Sequence, residues 1–188
     1  MTSVLAFVGC EDPLDAEPRL RCDPAVEGSR RALIERDLWR VATPKEGPWI
    51  EFRPPDIECP DGSRLAEDFA GTHAYGIITS RCRYTTLFQE TLADGCKGES
   101  LYIWLWNYAQ AAPENSTATL GVELGATEWS ETRPIPGPAA LVAKEIILQD
   151  DVPRGSPIFF HVRNHGSNSY ELLDLIFVVP GDTPRPGG

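Results

Sequence analysis

The sequence predicts an all-β protein, a two-sheet antiparallel β-sandwich, and three observations predict it. Eight segments carry strand-like alternation of apolar and polar residues, enriched in β-branched and aromatic side chains. Turn-forming clusters separate them: Asp94-Gly95, Pro136-Gly137-Pro138, Arg154-Gly155-Ser156 and His165-Gly166-Ser167-Asn168. Pro (17) and Gly (16) are spread along all 188 residues, the punctuation of many short strands joined by turns. That length suits one domain with a real core, and a 41% hydrophobic fraction suits a globular chain.

The strands are expected at 49–53, 75–81, 84–92, 101–108, 117–124, 141–149, 157–163 and 170–179. Successive strand side chains point to opposite faces. Ala118, Leu120, Val122 and Leu124 therefore share one face, against Thr117, Thr119, Gly121 and Glu123. Ile158, Phe160 and Val162 oppose Phe159, His161 and Arg163. Leu173, Leu175, Phe177 and Val179 align, opposing Leu172, Asp174 and Ile176. A slip of one residue would turn each apolar set outward, so these faces are strongly specified. Ahead of the strands, residues 29–40 (SRRALIERDLWR) read as a short helix capped by Ser29, with Leu33, Ile34 and Leu38 on one side, or as a further strand.

The N-terminus reads differently. Residues 3–9 (SVLAFVG) are small or apolar and run directly into Cys10. This resembles the end of a bacterial lipoprotein signal, in which a cysteine after a small residue is lipidated and becomes the mature N-terminus. The resemblance implies an exported protein, anchored to a membrane of the bacterial cell envelope by a lipid on Cys10. An ordinary apolar N-terminus with a chance cysteine is the other reading. Residues 1–10 would then end a signal segment, and 11–28, acidic with Pro13, Pro18 and Pro24, would be a tether. The sandwich domain follows over 29–180, and 181–188 (GDTPRPGG) is a flexible tail. No apolar run approaches the ~18 residues of a transmembrane helix.

Export would place the other four of the five cysteines in an oxidising compartment. Four cysteines allow three pairings, and Cys22–Cys59 with Cys82–Cys96 is the expected one, because each closes a local loop. Buried thiols in a cytosolic protein are the alternative. No CxxC pair occurs, which disfavours a zinc ribbon or a thioredoxin-type site. The formal net charge of −11 disfavours nucleic acid and anionic lipid surfaces as partners.

The segment 101–108 (LYIWLWNY) carries the strongest functional signal. Leu101, Ile103, Leu105 and Asn107 lie on one face; Tyr102, Trp104, Trp106 and Tyr108 lie on the other, neighbours about 7 Å apart by strand rise. The aliphatic set suffices for the inter-sheet core, which leaves four aromatics for a second face. Flat rings with polar edges suit sugars, whose C–H faces are apolar and whose hydroxyls need donors and acceptors. The opposite arrangement places the aromatics in the core and the aliphatics under the N-terminal segment or a long loop, and on a single strand it is the reading to expect first; a mixed outcome, with two rings buried at one end and two exposed at the other, is the third.

The segment Leu87-Phe88-Gln89-Glu90, followed by Gly98-Glu99-Ser100-Leu101-Tyr102-Ile103-Trp104-Leu105-Trp106, resembles two consecutive strands of carbohydrate-binding modules with the galactose-binding-like jelly roll. The 117–124 strand, Trp129 and a closing strand with Asp174 follow in the order those modules use, over residues 49–179. The resemblance implies a jelly roll, a carbohydrate or envelope component as ligand, and sometimes a structural calcium, for which only Asp174 matches in position. No other cofactor is expected. Gln89, His161 and Arg163 are candidate hydrogen-bonding neighbours of the aromatics. In the loop 163–169, Asn164 and Asn168 are candidate ligand contacts or plain turn residues.

Catalytic patterns are missing: no GxSxG, no HExxH and no phosphate-cradling glycine loop. His161 and His165 are two ligands with no third, too few for zinc. The reading is a non-catalytic, exported binding module. A structural or protein-interaction lipoprotein is the alternative, and a glycan-active enzyme the second alternative.

Overall fold

The computed structural model describes residues 31–43, 45–54, 63–69, 71–80 and 82–178. Cys10, Cys22, Cys59, the tether and the tail lie outside them. The described strands are β1 (Arg31–Ala32), β2 (Arg40–Val41), β3 (Arg64–Phe69), β4 (Thr72–Ile78), β5 (Tyr84–Glu90), β6 (Ser100–Asn107), β7 (Ser116–Leu124), β8 (Thr127–Ile135), β9 (Ala140–Ile147), β10 (Pro157–Asn164) and β11 (Ser169–Val178). One sheet has the order β3-β4-β11-β6-β9, with β1 added to β11; the other has the order β2-β5-β10-β7-β8. Neighbouring strands in both are antiparallel. From β4 to β7, and again from β8 to β11, each strand lies in the sheet opposite its predecessor. That alternation over eight strands is a jelly-roll sandwich.

The core is built from the alternation. Leu101, Ile103 and Leu105 of β6 face Ala118, Leu120, Val122 and Leu124 of β7 and Ile158, Phe160 and Val162 of β10 in one buried cluster. Each large aliphatic side chain there contributes about 1.5–3 kcal/mol by leaving water. In β11 the expected face is half right. The register with β6 shifts between Leu172 and Asp174, so a β-bulge places Leu172 in the core with Leu175 and Phe177, and leaves Leu173 outside it.

Four expectations are corrected. The helix over 29–40 does not form: β1, a 3₁₀ turn at Arg36–Leu38 and β2 occupy the described part. Leu33 and Trp39 are both buried, and six residues apart they would lie on different faces of a helix. Leu33 instead runs extended, its N–H donating to Leu175 O and its carbonyl accepting from Leu92 N–H (both 3.0 Å). The strand at 49–53 is a 3₁₀ turn, Ile50–Phe52. Strands β3 and β8 were not anticipated. Cys82 and Cys96, finally, lie at opposite ends of the sandwich. Cys82 Sγ packs 2.8 Å from Tyr84 O and 2.7 Å from Thr85 Oγ1, where β5 begins. The Cys96 N–H donates to Glu99 Oε2 (2.8 Å), just before β6 begins and beyond the far end of β5. Strand β5 spans about 20 Å between them, whereas a disulfide needs Cα atoms within about 7 Å.

Candidate functional site

Strand β6 is central in its sheet, flanked by β11 and β9. Its aliphatic face fills the core, so Tyr102, Trp104, Trp106 and Tyr108 line the outer face. The ladder is graded along its length. Trp104 is 4% exposed and packs with Ile176, Tyr102 and Leu173. Tyr102 and Trp106 are half-buried, and Tyr108 is 41% exposed. The Tyr102 and Trp104 rings are 6.2 Å apart and tilted; Trp106 and Tyr108 are 6.4 Å apart and meet edge to face.

The neighbouring strands complete this face. Pairing sets Trp106 between Glu171 of β11 and Leu141 of β9, and Trp104 between Asp174 and Ala143. Leu141 is exposed, as is Ile147 further along β9. Glu171 is buried, its carboxylate lying over Gly76, where any Cβ would sit 2.5 Å from Oε2. At the Tyr102 end, hydrogen bonds from Ser100 and then Tyr102 hold the Glu145 carboxyl below the usual carboxylate range. Open apolar surface therefore gathers at the Trp106–Tyr108–Leu141 end, with Glu171 buried beside Trp106 and the half-buried Asp174 one step further along, beside Trp104. Sequence reasoning missed Leu141 and Glu171 as neighbours, because strand pairing is not written in the alternation of a single strand.

The other candidate residues are not brought to this face. Gln89 points inward and is buried; Glu35 N–H donates to its Oε1 (3.0 Å), and its Nε2 donates to Glu35 O (3.3 Å). His161 and Arg163 lie on the outer face of the opposite sheet, with the core between them and the ladder. A strap that includes residues 42–43 and 45–53 packs on the middle of that face. Trp49, at φ 64, stacks on the His161 ring with centroids 4.9 Å apart, and its carbonyl accepts from the Tyr84 hydroxyl. Gly121 leaves the room Trp49 needs, since a Cβ there would lie 2.9 Å from Trp49 Cζ2. Burial first, and the Arg163 charge second, push His161 down to about 3, so the ring is neutral at physiological pH. Its Nδ1 lies 3.0 Å from Thr86 Oγ1. The Arg163 guanidinium sits 5.0 Å over the exposed Phe52 ring.

Asn164 and Asn168 are both buried. Asn164 Nδ2 donates to Thr79 Oγ1 (2.8 Å) and Gly166 O (2.7 Å). Its Oδ1 accepts from Asn168 Nδ2 (3.0 Å) and the Tyr170 hydroxyl (2.8 Å). Asn168 Oδ1 accepts from Ala111 N–H (2.7 Å). Both side chains are thus committed to buried contacts within the protein. Asp174 lies mid-strand, and among the described residues no group of three or more metal-ligating side chains surrounds it.

No protein-family model matches this chain, and no curated protein matches it either. Among solved structures, the chain is similar to TmCBM61 in complex with beta-1,4-galactotriose, at 14% identity and a TM-score of 0.48, over 79% of this chain and 99% of that one. It is also similar to a family 16 carbohydrate-binding module, at 9% identity and a TM-score of 0.39, over 61% and 83% of the two chains. A third similarity is to the CBM22-1–GH10 modules of Clostridium thermocellum endo-1,4-beta-D-xylanase 10B complexed with xylohexaose, at 12% identity and a TM-score of 0.41, over 87% and 30%. The likeness is one of strand arrangement; the sugars in those complexes belong to those proteins.

Proposed function

We propose that this protein is a non-catalytic carbohydrate-binding module, with its ligand along the outer face of the β3-β4-β11-β6-β9 sheet at the Trp106–Tyr108 end. The observation that carries the reading is the aromatic ladder of β6, left over once the aliphatic face has filled the core, with its Tyr108 end open to solvent. A pyranose C–H face would lie on the Tyr108 and Trp106 rings and against Leu141, and its hydroxyls would reach toward the half-buried Asp174 carboxylate. The test is a glycan array comparing the wild type with Trp106→Ala and Tyr108→Ala. Binding to one glycan class that both variants lose, with melting unchanged in Tyr108→Ala, supports the reading. Equal binding by all three proteins removes the ladder as the site.

A second reading, a structural or partner-binding role for the same face, is favoured by Trp104 and Ile176, which are packed away from solvent. The proposal includes export and a lipid on Cys10, supported by the apolar run 3–9 that leads into that cysteine. Fractionation of bacteria expressing the gene, with mass spectrometry of the mature N-terminus, tests this part. An intact Met1 on natively produced protein contradicts it.

A further inference from the structure

A cleft of about 330 Å³ opens at the β2–β5 margin of the second sheet, on the side of the core away from the aromatic ladder, lined among others by Leu38, Arg40, Phe88, Glu90, Leu92 and Arg154. Its volume falls at the lower end of the range of about 300–1,000 Å³ for small-molecule sites. Both walls are held in place. On one side the Arg40 guanidinium lies 4.1 Å over the Phe88 ring and donates twice to Glu46, at 2.8 and 2.9 Å. On the other, residues 153–156 form a turn closed by Ser156 N–H on Pro153 O (3.0 Å), with Gly155 at the φ of +86° that its third position requires. That turn is tied to Thr91 by Gly155 N–H on Thr91 O (2.9 Å), Thr91 N–H on Ser156 O (2.9 Å) and Ser156 N–H on Thr91 Oγ1 (3.1 Å).

Arg154 stands at the corner of this turn. Among the described residues, neither its guanidinium nor the Glu90 carboxylate is bonded to another side chain, and Leu38 is 51% exposed. The cleft therefore offers a donor fork carried on a fixed turn, a separate acceptor and apolar walls.

We propose that this cleft is a second ligand site, which takes a neutral saccharide residue. Its C–H face would rest on Leu38 and Leu92, with its hydroxyls accepting from Arg154 and donating to Glu90. The charges select for neutrality. Arg40 is already satisfied by Glu46, which leaves one cation and one anion to meet the ligand. An acidic sugar would gain Arg154 but face Glu90 on a chain of net charge −11. A wholly apolar ligand would strip water from two charges and return no hydrogen bond. The ligand class rests on the saccharide reading above, whereas the site is independent of the ladder.

The test is to titrate the ¹⁵N-labelled chain with neutral cello-, xylo-, manno- and galacto-oligosaccharides, and in parallel with uronate oligomers. Amides of Glu90, Leu92 and Gly155 are expected to shift with at least one neutral sugar. Arg154→Ala is expected to weaken that binding at least tenfold and leave the amides around Trp106 unmoved. Glu90→Gln, which keeps an acceptor oxygen, should weaken it less than Glu90→Ala. Shifts around Trp106 and Tyr108 with none at the cleft overturn the second site and leave the ladder standing. Shifts at the cleft alone support it and remove the ladder. A response at the cleft to uronates only overturns the neutral assignment, and no response to any sugar overturns both sites.

Discussion

The Asn164 side chain illustrates how polar residues divide between structure and function. It lies at 0% exposure with its amide donating to Thr79 and Gly166 and its oxygen accepting from Asn168 and Tyr170. Removing it strands several buried groups, at about 1–3 kcal/mol for each left unsatisfied. Asn164→Ala is therefore expected to lower the melting temperature by several degrees and leave ligand binding unchanged; a normal melt with lost binding would return Asn164 to the site. His161 gives a pH signature. Its folded pKa is about 3, against about 6.5 unfolded, so the unfolded chain binds the extra proton between those values. Stability contributed by neutral His161 is then full above pH 6.5 and is lost progressively down to pH 3. Denaturant titrations between pH 3 and 8 should show a shallower acid slope in His161→Gln than in the wild type. Equal slopes would mean that the buried ring does not resist protonation.

Strands β5, β6, β7, β9 and β10 were legible in the sequence because their alternation coincides with a buried and an open face. The strands that were missed have physical reasons. Strand β8 (Thr127–Ile135) carries Glu128, Glu131, Arg133 and Pro134, and pairs only with β7 at the sheet edge. An edge strand tolerates charge and proline, so its composition reads as loop. The bulge in β11 was hidden because Leu172, Leu173, Leu175 and Ile176 fit either register equally well. In the candidate site, the four aromatics were legible, whereas their neighbours depend on which strands pair. Gln89, His161 and Arg163, candidate hydrogen-bonding neighbours of the ladder, fall inside the core or on the other sheet. The loop that crosses from β5 to β6 makes its own prediction. A Cβ on Gly95 would lie 2.4 Å from Phe177 Cζ and 2.8 Å from Leu148 Cδ1. Gly95→Ala should cost about 1–3 kcal/mol by overpacking, read as a lower denaturation midpoint at constant m-value. An unchanged midpoint would mean that the Phe177 ring yields freely.

Across the whole molecule, the two ends of the sandwich dictate the cysteine chemistry. Cys82 and Cys96 are each expected as half-cystines, and they lie too far apart to bond to each other. Arg31 of β1 pairs with Glu99, three residues from Cys96, while β3 starts with Arg64 opposite Ile77, at the Cys82 end. The partners of Cys82 and Cys96 are then to be sought among the other cysteines of the chain, in place of a Cys82–Cys96 loop. Non-reducing peptide mapping tests this: recovery of a Cys82–Cys96 peptide would contradict the strand order itself. The two outer faces also differ in kind. A strap plugged by Trp49 covers the middle of the β2-β5-β10-β7-β8 sheet, whereas the opposite sheet keeps its aromatic ladder open at one end. That asymmetry is the basis of the functional account, and calorimetric titration of Tyr108→Ala with the best glycan of the array tests it most directly. Tyr108 is exposed and outside the core, so the account predicts at least a tenfold loss of affinity with the melting temperature unchanged. Wild-type affinity in Tyr108→Ala would contradict it.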